Sequence, residues 1–66
     1  MTTLAEALPI EQARVRVVLG HYKELGPVGA IGAMFIEQDL QKADKAVMSG
    51  DIVQMLEALN TLKGIK

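Results

Sequence analysis

Three helix-length blocks of recurring apolar residues follow one another along the chain, separated by glycine and proline. In the last block, Ile52, Met55, Leu56, Leu59 and Leu62 fall on one side of a helix, while Gln54, Glu57, Asn60 and Thr61 fall mostly on the other. That spacing predicts a helix over 52–63 with one buried face. Asp51 stands ready to accept from the free N–H groups of its first turn, and Gly64 stops it. Upstream, Ile36, Leu40, Ala43 and Val47 align along one face while Glu37, Gln41, Asp44 and Lys45 face away, which predicts a helix over 28–49 closed by Gly50. Its first half is different: Ala30, Ile31, Ala33, Met34, Phe35 and Ile36 are apolar all the way round. The first helix is predicted over 9–25. Pro9 suits a first turn, and Gly26 followed by Pro27 ends the helix. Residues 1–8 are then a flexible N-terminus, and 9–66 one helical domain.

This first helix carries more apolar surface than one face accommodates. Ile10, Ala13 and Val17 make one stripe, and Val15, Val18, Leu19, Tyr22 and Leu25 a second, leaving a narrow polar arc at Gln12, Arg16, Lys23 and Glu24. The predicted fold is all-α: a hairpin of two longer helices plus a short third. A lone unit of that kind leaves one stripe uncovered, so a second side belonging to another chain is expected.

Composition strengthens this expectation. The chain has 66 residues, half of them hydrophobic, and no cysteine, so neither disulfides nor a cysteine-based zinc site staples it. Below about 70–80 residues a single core rarely supplies more than about 3–5 kcal/mol. Association is the remaining route, and a homodimer is predicted. Gly29, Gly32 and Ala33 form a shallow strip open to a close-packed helix, and with Phe35 and Ile36 they are the expected dimer interface.

The formal net charge of −1 lacks the basic field that drives non-specific nucleic-acid binding. No basic region precedes a hydrophobic run at Met1, and the uncharged stretch 26–36 falls short of a membrane span and contains Pro27. A cytoplasmic protein is expected, without membrane or nucleic-acid partners.

Candidate chemistry is sparse. The glycines of GPVGAIGAMF match neither a phosphate loop nor a dinucleotide fingerprint, which needs a preceding strand; an anion at this helix start is the minor alternative to packing. His21, the single histidine, has no nucleophile and no orienting acid beyond surface Glu24 and Glu11, so it reads as a partly buried or interfacial packing residue. No catalytic residue, metal, cofactor or small-molecule substrate is expected, and the chain is not read as an enzyme. Tyr22 combines an apolar ring with a polar tip, as binding hot spots do. With Val18, Val15, Arg14 and His21 it makes up the predicted partner-binding surface.

The segments LPIEQARVR, HYKELGPVGAIGAMFI and KAVMSGDIVQMLEALNTLKGIK resemble a family of short helical proteins encoded by tailed phages and prophages. Small dimeric phage proteins of this kind include a quorum-sensing anti-activator, which binds a host transcriptional regulator of the autoinducer-responsive type and a pilus-assembly ATPase. The resemblance implies a host-takeover protein in the bacterial cytoplasm that inhibits or redirects a host bacterial protein by direct binding. It assigns no site residue. The alternative is a DNA-binding regulator of helix-turn-helix type, but the second helix has no basic residue from Pro27 to Gln41 to meet phosphate or base edges.

Overall fold

The computed structural model describes residues 3–66, which form three α-helices: α1 (Leu4–Glu24), α2 (Pro27–Ser49) and α3 (Ile52–Lys63). Among the described residues there is no strand. Each helix packs on both of the others.

α1 begins ahead of Pro9, where the sequence pattern places its start. The Thr3 side chain accepts from the Glu6 backbone N–H at 3.2 Å, and the cap holds because the first turns carry Leu8 into the core, where it is fully buried. Most of the predicted flexible N-terminus is therefore helix; Met1 and Thr2 lie outside the described residues. Pro9 sits inside the helix, leaving the Ala5 carbonyl without its usual N–H donor. α2 and α3 run as expected, with Pro27 at the start of α2 and the Asp51 side chain accepting from Gln54 N–H at 3.1 Å.

The two inter-helix turns depend on glycine. Gly26 has φ 67° and Gly50 φ 70°, in the positive region that costs an L side chain steric energy. Gly64 differs: its φ is −74°, so α3 ends without a left-handed residue.

Leu8, Gln12, Val15, Leu19 and Tyr22 line the inner face of α1, and Gly29, Ala33, Ile36, Leu40 and Ala43 that of α2, each stepping by threes and fours. The helices run antiparallel. Arg16 Nη2 donates to Asp44 at 2.9 Å and Lys23 Nζ lies 2.8 Å from Glu37 Oε1, so residues late in α1 meet residues early in α2. Glu37 and Asp44, expected to face away, thus turn toward α1. The inner face of α3 is Ala58, Leu59 and Leu62 with Met55 half-buried; Ile52 and Leu56, predicted for that face, are exposed.

α3 is short for its partners. At about 1.5 Å per residue it spans roughly 18 Å against about 34 Å for α2. Its last turn lies beside the middle of α1, where Arg14 Nη2 donates to the Leu62 carbonyl at 2.8 Å. From there to the Gly26 turn the molecule is a two-helix hairpin, apart from Ile65, which follows α3 and packs on the core.

Candidate interaction surface

The close approach of α1 and α2 near their turn uses the glycine strip. A Cβ built on Gly29 would collide with the Tyr22 carbonyl oxygen, and one on Gly32 would lie 2.7 Å from Cε2 of the Tyr22 ring. The ring rests on the space that Gly32 leaves empty. Gly29, Ala33 and Ile36 are buried within the chain, so these predicted dimer residues are already covered by α1. Small residues admit the nearest helix, and here that is the neighbour in the same hairpin.

The predicted partner surface changes for the same reason. Val15 is fully buried, and Val18 and Tyr22 are half-buried against the core. Arg14 is tied down by Glu11 Oε2 at 2.8 Å as well as by Leu62. His21 alone of the five is exposed, which sets aside a place within the chain's own core and leaves it on the surface. Of the two stripes on α1, the second turns inward except for Leu25 at its end, and Ile10, Ala13 and Val17 remain outside.

Gln12, the buried polar side chain of the core, donates from Nε2 to Asp44 Oδ1 at 2.7 Å, on the carboxylate that also receives Arg16. This cluster fixes the register of α1 on α2. Among the described residues no buried side-chain N or O lacks a hydrogen-bond partner, and no group of three His, Cys, Asp or Glu is placed to hold a metal ion. A groove of about 360 Å³ between α2 and α3 is lined by Asp39, Lys42, Lys45, Gln54, Glu57 and Thr61 with Ala58 at its floor. Its charges alternate, and it gathers no matched acid and base around a reacting position.

Exposed apolar side chains are the conspicuous surface feature; apart from Ile10 and Val17 on the outer side of α1, they fall into two sets at the two ends of the molecule. Near the α1–α2 turn, Leu25, Val28, Ile31, Met34 and Phe35 all point outward, Val28 at 89% exposure and Phe35 at 59%. Phe35, expected in a core or interface, is kept out of the intrachain core by its place on the outer side of α2. At the α2–α3 corner stand Val47, Met48, Ile52, Val53 and Leu56, with Met48 at 87%. The first set arises because α2 begins apolar on all sides and only one side meets α1. The second arises because α3 rotates Ala58 rather than Leu56 inward. Exposed patches of this kind mark sites of association.

No helix among the described residues is long and apolar enough to cross a membrane. No family model, curated protein or solved structure matches the chain.

Proposed function

We propose that this chain is an interaction protein, a small helical homodimer that binds and inhibits or redirects a host bacterial protein, such as a quorum-sensing transcriptional regulator of the autoinducer-responsive type. The observation that carries the reading is the pair of apolar sets at opposite ends of one small chain: one serves self-association and the other remains for a partner. The partner named here comes from the resemblance to short phage and prophage proteins, and the bacterial cytoplasm as its place of action comes from the same source.

The α2–α3 corner is assigned to the host protein. Met48 and Val53 are prominent there, and Lys45, Asp51 and Glu57 supply charges nearby in sequence for a polar rim. The test is capture of a purified autoinducer-responsive regulator by the tagged chain, followed by a promoter reporter for that regulator. Wild type should bind it and silence the reporter, and Val53→Glu should lose at least tenfold in affinity with its helical circular dichroism intact. If wild type leaves both regulator and reporter untouched, this partner is wrong; if Val53→Glu binds as wild type does, the corner is wrong.

A further inference from the structure

The outer side of α2 near the hairpin turn has a spacing that its burial does not explain. Val28, Ile31 and Phe35 recur at intervals of three and four, the interval of a helix–helix seam, and all three are exposed together with Met34. The seam continues along the same side as Gln38, Lys42 and Lys45, so its apolar part ends at Phe35. No charged residue occurs from Gly26 to Ile36.

We infer that a second copy of this chain occupies this seam, its α2 crossing antiparallel over Val28, Ile31 and Phe35 around a two-fold axis near Ile31. The inference rests on the homodimer part of the reading above and names its surface. Three observations support a second copy as occupant. The chain exposes 4596 Å², whereas a compact monomer of its mass exposes about 4,100 Å². A contact removing about 800 Å² from each copy, the size of a stable interface, takes the surface per chain below that of a compact monomer. The apolar part of the seam carries no charge that would select an oppositely charged partner, while a two-fold contact pairs that uncharged part with itself at no electrostatic cost. The hairpin lacks a third helix over this half of its length, and a partner α2 supplies one.

The lysines decide the direction. A parallel pairing in register stacks Lys42 on Lys42 and Lys45 on Lys45 as the seam continues, which is repulsive. An antiparallel crossing centred between Val28 and Phe35 sends the lysines of each copy past the hairpin turn of the other.

Because the chain has no cysteine, a single introduced thiol reports its own distance from the axis. Ile31→Cys should form an interchain disulfide at least tenfold faster than Lys42→Cys or Met48→Cys under mild oxidant. In sedimentation equilibrium the wild type should weigh twice 7.1 kDa at micromolar concentration, and Ile31→Glu should weaken dimerisation at least a hundredfold while keeping its helical signal. Wild type that stays monomeric, Ile31→Glu that stays dimeric, or Lys42→Cys that cross-links faster than Ile31→Cys each overturns the inference. Should Ile31→Glu lose its helical signal, the cysteine comparison decides alone. The regulator plays no part in these measurements, so a dimer that binds no regulator refutes the proposed partner and leaves this surface standing.

Discussion

Adding one methyl group has opposite consequences at different glycines of this chain. Gly20 lies on the exposed side of α1, and a Cβ added there would meet nothing within 4 Å, so Gly20→Ala should stabilise the protein by about 0.5–1 kcal/mol through helix propensity alone. At Gly29 the methyl meets the Tyr22 carbonyl, a backbone atom that moves only if α1 and α2 separate. Gly29→Ala should therefore cost at least about 2 kcal/mol despite the same propensity gain. Gly32 falls between them, since the atoms it would strike belong to a half-buried ring that can swing outward at the expense of its packing. Urea unfolding at fixed protein concentration should rank the variants Gly20→Ala, then Gly32→Ala, then Gly29→Ala, and equal effects at 20 and 29 would contradict the close approach.

The elements owe their ends and their register to a few polar contacts. Thr3→Ala should lower stability by about 1 kcal/mol through loss of the α1 cap. Pro9→Ala should raise it by about 1–3 kcal/mol, because alanine restores the donor to the Ala5 carbonyl; thermal melts distinguish the two directions. Between α1 and α2, Arg16→Ala removes an ion pair whose side chains are about half exposed and should cost less than about 1 kcal/mol. Asp44→Ala also strands the buried Gln12 amide and should cost about 1–3 kcal/mol, so the two variants differ although they break the same ion pair. The three helices, both glycine turns and the Asp51 cap were legible in the sequence because each has a local cause. The start of α1 was not, because Pro9 reads as a first turn whereas the cap lies six residues ahead of it, at Thr3. Which stripe of α1 turns inward was not legible. Val15 and Val17 are equally apolar, and only the contact of Tyr22 with Gly32 and the pairing of Gln12 with Asp44, both between different helices, decide between them.

Over the whole molecule, α3 covers only the half of the hairpin on its own side of Arg14, and this unevenness has a kinetic reading. Cooperative opening begins where fewest buried apolar groups must separate. Backbone amides from Ile31 to Ile36 should therefore trade hydrogen for deuterium well before those from Leu40 to Ala46, which lie between α1 and α3 in the core. Dilution should widen that gap and raising the protein concentration should narrow it, because a copy seated near Ile31 closes the half that α3 leaves open. Slow exchange throughout α2 at every concentration would mean that the hairpin holds itself shut unaided. The brevity of one helix thus makes the lifetime of the open hairpin end a measure of how many copies of the chain surround it.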